Sequence, residues 1–136
     1  MLLQIQEPDQ SFDSGQNIEK AIGIDLGTTH TVVAYVKDGV PETIDFGSGP
    51  LLPSVVTYIN EEELIGSKEN DVNAIRFSSF KRHMQEPSFK IKGLKTPVEL
   101  SGKILKYVKE KTEEVLGVAV QQAVITVPAY FDDTAR

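Results

Sequence analysis

The sequence has 136 residues, 40% of them hydrophobic and 25% charged, which is the composition of one ordinary globular domain. Because it has no cysteine and only two histidines, disulfides and thiolate chemistry are excluded and a structural zinc site is not expected. The net charge is -6, no basic face carries aromatic residues, no apolar run reaches the ~20 residues that span a membrane, and the start does not resemble a secretory signal. We therefore expect a cytoplasmic protein with neither a nucleic-acid nor a membrane partner.

The first part of the chain is predicted to form short strands. Residues 1–20 are polar and lack a helical period, so we expect a loosely held arm. Strands are predicted over Ala21–Leu26, Thr31–Val36 and Val40–Phe46, because these runs are apolar, β-branched or aromatic. The Asp38-Gly39 pair between the last two runs predicts a hairpin turn.

The middle of the chain is predicted to mix strands with one helix. Strands are predicted over Ser54–Ile59 and Glu63–Gly66. A short helix is predicted over Asn73–Met84, where apolar residues recur at helical spacing and Lys81 lies between them. Two short strand-like pieces are expected within residues 88–98.

The last part of the sequence contains the clearest helical pattern. Apolar residues fall on one face of Ser101–Leu116, with Ser101 able to cap the start and Gly117 able to end the helix. An apolar strand is predicted over Gln122–Val127, bounded by Pro128. Because another helix start follows at once, we expect the chain to be part of a larger unit.

The stretch GIDLGTTHT, Gly23–Thr31, has the residues of a phosphate-binding turn. It has the spacing of neither a P-loop nor a dinucleotide fingerprint, and a strand rather than a helix follows it. The loop is therefore predicted to join two strands of an antiparallel hairpin and to hold an anion through turn amides and hydroxyls. Gly27 is expected to allow close backbone approach and positive φ, and Thr28 and Thr29 to add hydroxyl groups.

Asp25 precedes this loop at the predicted end of a strand. A carboxylate beside phosphates is repulsive unless a divalent cation lies between them. Magnesium keeps several waters and binds few protein carboxylates, so Asp25 is expected to act through water. The alternative is an ordinary tight turn that uses aspartate and glycine for conformational reasons, and the pattern alone leaves both interpretations open.

Several stretches in order resemble the DnaK-type seventy-kilodalton heat-shock chaperone family, within the actin and sugar-kinase superfamily. They are GIDLGTT, LLPSVV at Leu51–Val56, FKRHM at Phe80–Met84 and AVITVPAYFDDTAR at Ala123–Arg136. The opening MLLQIQEP and the later VPAYFDD are most similar to the HscA branch, which serves iron–sulfur cluster assembly. The segment 85–97 is shorter than is usual in either branch.

The resemblance implies a role for each matching residue of the loop. Asp25 resembles the aspartate that holds hydrated magnesium. Gly27, Thr28 and Thr29 match the loop that touches the β and γ phosphates of ATP or ADP, and His30 follows where many members have asparagine or tyrosine.

Roles outside the loop rest on the resemblance alone. Lys81 resembles the lysine that contacts the γ-phosphate and positions the attacking water, although a lysine-arginine pair on a helix is more often solvent-facing. Pro128 resembles a switch proline and Arg136 a surface relay. Without the family, these two would be interpreted as a strand terminator and an exposed charge.

The implied fold is α/β: an incomplete, ribonuclease-H-like lobe of an actin-like ATPase, with a mixed sheet and flanking helices. Residues 21–136 would form this first lobe, with a small subdomain at about 47–100, while the rest of the nucleotide site would lie beyond Arg136. The implied activity is that of an ATP-hydrolysing chaperone with a J-domain co-chaperone, an iron–sulfur scaffold protein and client peptides as partners. A non-catalytic fragment and, less favoured, a small-molecule kinase are the alternatives, and the isolated chain is expected to be inactive.

Overall fold

The computed structural model describes residues 18–67, 70–86 and 88–126, with the backbone alone for 18–20. In these residues two sheets accompany one long α-helix, α1 (Pro97–Leu116), and one 3₁₀ helix (Phe80–His83). The strands in chain order are β1 (Ile18–Leu26), β2 (His30–Lys37), β3 (Val40–Thr43), β4 (Leu52–Pro53), β5 (Val56–Ile59), β6 (Glu62–Ile65), β7 (Ile75–Phe77) and β8 (Gln122–Thr126).

The larger sheet has five strands in the order β3-β2-β1-β8, with β4 also paired to β2. Strand β1 is antiparallel to β2 and parallel to β8, which confirms the predicted α/β class with a mixed sheet. Along β1, Ile22, Ile24 and Leu26 are buried while Asp25 between them is exposed. Since successive side chains of a strand point to opposite faces, the Asp25 carboxylate lies on the face away from this core.

The smaller sheet is antiparallel, in the order β6-β5-β7. Helix α1 contacts both this sheet and the 3₁₀ helix. The core here consists of fully buried apolar side chains from all of these elements: Val56, Phe77, Phe80, Leu100, Ile104 and Val108. The smaller sheet lies within the range 47–100, but the division into a lobe and a small subdomain stays a prediction.

Two of the hairpins, β2–β3 and β5–β6, have tight turns of the same backbone type. Asp38 and Gly39 connect β2 to β3 with φ values of 51° and 78°, which confirms the predicted hairpin. Asn60 and Glu61 connect β5 to β6 with φ values of 49° and 68°. The second hairpin was not predicted because a glutamate occupies the position where glycine usually signals such a turn.

The predicted helix over Asn73–Met84 is wrong. Residues Ile75–Phe77 form β7 against β5, and only Phe80–His83 turn helically, as a 3₁₀ helix. Ser79 separates the two with φ of 55°, a left-handed conformation that no α-helix contains. Both Phe77 and Phe80 are buried at 1% exposure, so pairing and packing overrode the helical spacing.

The start of the long helix was also predicted wrongly. Helix α1 begins at Pro97 rather than Ser101, because Thr96 caps it and Glu99 completes a capping box. The Thr96 hydroxyl accepts from the Glu99 amide at 3.2 Å, and the Glu99 carboxylate accepts from the Thr96 amide at 3.1 Å. Ser101 is buried inside the helix. The predicted end is confirmed, since Gly117 adopts φ of 69° and donates to the Glu113 carbonyl.

The segment before α1 holds a single isolated bridge, Ile91 to Lys95, where two strand-like pieces were expected. The turn that this bridge closes, residues 91–95, lies over the smaller sheet instead. Lys95 Nζ is 5.6 Å from the ring centroid of Tyr58, and Lys92 Nζ is 5.7 Å from that of Phe77. These contacts with the sheet face replace strand pairing.

Several strand boundaries differ from the predicted ones. Strand β1 begins at Ile18, inside the expected arm, and the rest of the arm lies outside the described residues. Strand β3 ends at Thr43 rather than Phe46, because the Asp45 carboxylate turns the chain by accepting from the Gly47 amide at 2.6 Å. Strand β8 is described as far as Thr126.

Replacing Thr96 by alanine tests the capping box. The change should lower the free energy of unfolding by about 1 kcal/mol, because the first turn of α1 loses a side-chain acceptor. Urea denaturation of the 136-residue chain measures this, with the exposed Ser48→Ala as the control. An equal, near-zero effect of both changes would contradict the capping role.

Candidate functional site

The loop between β1 and β2 has the predicted hairpin geometry. Leu26 pairs with Thr31, and the Gly27 amide donates to the His30 carbonyl at 3.0 Å. A Cβ on Gly27 would lie 2.3 Å from that carbonyl oxygen, so glycine is required for close approach. The expectation of positive φ at Gly27 is wrong, since its backbone is outside that region.

The tip of the loop presents groups that suit an anion. In the part of the chain that the structure describes, the amides of Thr28 and Thr29 donate to no backbone carbonyl. Thr29 and His30 are exposed, and the Thr29 hydroxyl lies 3.2 Å from His30 Nδ1. Adjacent amides and hydroxyls of this kind are able to bind a phosphate without a helix dipole.

A buried pair of hydroxyl groups supports the loop on its core side. The Thr31 and Ser54 side chains are within 2.8 Å of each other and are almost fully buried. The Ser54 amide also donates to the Thr29 carbonyl at 2.9 Å. Neither residue was predicted as part of the site, although Ser54 belongs to the LLPSVV stretch, which could have indicated it.

Asp25 is an exposed carboxylate at the end of β1. Its Oδ1 accepts a hydrogen bond of 2.7 Å from the Thr126 hydroxyl of β8. No group of three or more histidine, aspartate or glutamate side chains among residues 18–67, 70–86 and 88–126 could hold a metal ion directly. A lone carboxylate does fit a hydrated magnesium ion, which needs acceptors for its water ligands.

Lys81 lies at the inner end of the same loop. It is 6% exposed, and its Nζ donates to the Leu26 carbonyl, which directly follows Asp25 in the chain. Burial lowers the pKa of Lys81 from its usual 10.5, and the nearby Asp25 carboxylate opposes this lowering. The solvent-facing alternative therefore does not apply to Lys81, whereas the adjacent Arg82 is exposed.

The 3₁₀ helix that carries Lys81 is held by apolar and weak polar contacts. Phe80 is buried in the core beside Lys81, and Ser101 of α1 donates to Met84 Sδ at 3.5 Å. The helix therefore fixes the lysine against β1 although 55 positions separate the two in sequence. The predicted site residues Asp25, Gly27, Thr28, Thr29, His30 and Lys81 all lie around one loop.

Two predicted regulatory residues, Pro128 and Arg136, lie outside the described residues. Their expected roles therefore stay predictions. No helix among the described residues is long and apolar enough to cross a membrane.

Comparison with known proteins gives a family match along most of the chain. The profile of the Hsp70 protein family matches residues 21–87 and 81–136. A chaperone protein HscA homolog of Acinetobacter baumannii (strain AYE) is 41% identical over 161 positions, covering 99% of this chain and 26% of the relative. A chaperone protein HscA homolog of Vibrio vulnificus (strain CMCP6) is 37% identical over 164 positions, with the same coverage.

These alignments also show where this chain differs from its relatives. The chain spans about a quarter, 26%, of their length. An alignment of 161 positions with a chain of 136 residues leaves at least 25 positions without a counterpart here. The two parts of the family match overlap at residues 81–87, next to the segment 85–97 that was predicted to be short.

Replacing Lys81 by methionine tests whether burial lowers the pKa of the Lys81 ammonium group. Because folding lowers the pKa of Lys81, the unfolded chain binds this proton more tightly, so the free energy of unfolding should rise with pH below the ordinary lysine value of 10.5. In urea titrations the variant should have a flatter rise as the pH approaches that value from below.

The matched control is Lys106→Met, whose side chain is 76% exposed. This control should keep the slope of the unchanged chain. Equal slopes for the Lys81 variant and the unchanged chain would contradict the lowered pKa.

Proposed function

Because the chain belongs to the Hsp70 protein family, we propose that it forms one side of the ATP or ADP site of an ATP-hydrolysing molecular chaperone, most similar to HscA. The observation that carries the proposal is the buried ammonium group of Lys81, held at the phosphate loop beside Asp25. Withdrawing an ammonium group from water is costly, so its presence beside this loop favours a site that also receives an anion.

The loop residues have complementary tasks in this proposal. Gly27 keeps the backbone close, and the amides and hydroxyls of Thr28 and Thr29 bind the β and γ phosphates. His30, which contacts the Thr29 hydroxyl, orients that side chain. The Thr31–Ser54 pair keeps the loop in this shape from the core side.

Asp25 is the residue proposed to hold magnesium. Bound magnesium would neutralise phosphate charge, and Asp25 would accept hydrogen bonds from its water ligands. Among the described residues no group of three or more ligating side chains could hold the ion directly, which favours water-mediated binding.

Lys81 is proposed to act on the terminal phosphate. Its ammonium group would leave the Leu26 carbonyl and donate to the γ-phosphate, where charge spreads over the oxygens during transfer. The contact becomes stronger as this charge develops, so it assists hydrolysis more than binding. The same ammonium group would position the attacking water.

The remaining predictions rest on the family alone. We propose the small subdomain at about 47–100, the switch role of Pro128 and the relay role of Arg136 on this basis. The iron–sulfur scaffold protein, the J-domain co-chaperone and client peptides are proposed partners of the longer protein. The cytoplasmic location stays a prediction.

A non-catalytic fragment is the second candidate, and one observation favours it. The alignment with a relative leaves at least 25 positions without a counterpart in this chain, and the family match is in two parts that overlap at residues 81–87. An interaction with a co-chaperone, without nucleotide turnover, would then be the remaining activity. The small-molecule kinase is disfavoured because VPAYF and FKRHM have the chaperone pattern.

The catalytic role of Lys81 is tested in the polypeptide as the cell makes it, whatever its length. Lys81→Ala should leave ATP affinity almost unchanged and lower the hydrolysis rate about 100-fold, since the contact is strongest in the transition state. Single-turnover hydrolysis and equilibrium ATP binding measure the two effects separately.

The adjacent Arg82→Ala is the matched control, because Arg82 belongs to the same 3₁₀ helix and is exposed. It should alter neither quantity. Weaker ATP binding with an unchanged rate in the Lys81 variant would contradict the assigned role.

The purified 136-residue chain should not hydrolyse ATP at a measurable rate, because the side of the site that binds adenosine is expected outside it. Release of inorganic phosphate under excess ATP and magnesium measures this. Turnover comparable to that of a complete chaperone would show that the expectation of an inactive chain is wrong.

A further inference from the structure

The Asp25 carboxylate has a polar partner that no part of the loop provides. Strands β1 and β8 are parallel neighbours in which Asp25 lies opposite Thr126. The Thr126 hydroxyl donates to Asp25 Oδ1 at 2.7 Å. On the other side, Asp25 lies opposite Val32, which has no polar side-chain atom.

We infer that Thr126 is a positioning residue that orients the Asp25 carboxylate toward a hydrated magnesium ion bound with the nucleotide. The inference rests on the proposed function of Asp25. A threonine hydroxyl has one proton, and here it engages Oδ1, so Oδ2 keeps its full capacity to accept from metal-bound water.

Thr126 would raise the affinity for magnesium by restricting the Asp25 carboxylate, without contacting the hydrated ion itself. An exposed aspartate side chain rotates among several conformers, and only one of them would suit a bond to the hydrated ion. A hydrogen bond to a charged acceptor is stronger than a neutral one, so Thr126 makes this selection before the ion binds. Residues outside the ligand shell of a metal commonly contribute ~10-fold or more to its affinity.

Until the Lys81 ammonium group moves to the γ-phosphate, the backbone next to Asp25 is restrained as well. The Leu26 carbonyl accepts from Lys81 Nζ. The carboxylate of one residue and the carbonyl of the next are thus fixed by side chains from two other elements, β8 and the 3₁₀ helix. The loop that follows starts from a defined position.

Thr126→Val tests the inference in the polypeptide as the cell makes it. Valine keeps the shape and strand preference of threonine but lacks the hydroxyl donor. The readout is the magnesium concentration that gives half-maximal binding of a fluorescent ADP analogue. It should rise about 10-fold, whereas Thr126→Ser, which keeps the donor, should stay within about twofold of the unchanged protein.

Thr43→Val is the matched control, because Thr43 is exposed in the same sheet at the opposite edge. It should not shift the magnesium requirement. If both valine variants change the melting temperature equally and neither changes the magnesium requirement, Thr126 has only a role in the sheet and the inference is wrong.

A double variant separates action through Asp25 from any independent effect. In an Asp25→Asn background, adding Thr126→Val should cause no further shift, since the oriented carboxylate is already absent. A full additional shift would overturn the inference. If the unchanged protein binds nucleotide without any magnesium dependence, the proposed function of Asp25 is wrong. If the unchanged protein depends on magnesium and Thr126→Val does not alter that dependence, only the inference about Thr126 is wrong.

Discussion

The hydrogen bond from the buried Lys81 ammonium to the Leu26 carbonyl joins the elements around the smaller sheet to the larger sheet. It links the 3₁₀ helix, which packs on α1, to the end of the strand that begins the loop. Withdrawing an ammonium group from water costs several kcal/mol unless polar partners compensate. Here the carbonyl and the nearby Asp25 carboxylate do so, and an anion on the loop would add a further partner.

The apolar core determines where this lysine can lie. Phe77 and Phe80 are both almost fully buried, one at the end of β7 and one at the start of the 3₁₀ helix. With Ser79 in a left-handed conformation between them, the chain turns sharply, and the residue after Phe80 is directed at β1. The position of Lys81 at the loop therefore depends on packing in the smaller sheet.

The local features of the fold were predictable because their signals are local. The β1–β2 hairpin and the Asp38-Gly39 turn follow from short apolar runs and two residues with defined turn preferences. The start of α1 was mispredicted because a periodic apolar face does not show where the cap lies, whereas Thr96 and Glu99 do.

The partners of the site residues were not predictable in this way. Ser54 beneath the loop and Thr126 beside Asp25 are distant in sequence, and their contacts depend on strand pairing. The burial of Lys81 depends likewise on tertiary packing. The resemblance to a family indicated which residues to expect at the site, but only the pairing of β8 with β1 shows how Asp25 is oriented.

A crystal structure of the native polypeptide with magnesium and a non-hydrolysable ATP analogue tests the central claim most directly. The account predicts that the phosphates contact the amides of Thr28 and Thr29, that Lys81 Nζ donates to the terminal phosphate, and that a magnesium-bound water donates to Asp25. Nucleotide bound away from this loop, or Lys81 still donating to the Leu26 carbonyl with the phosphates in place, would contradict the account.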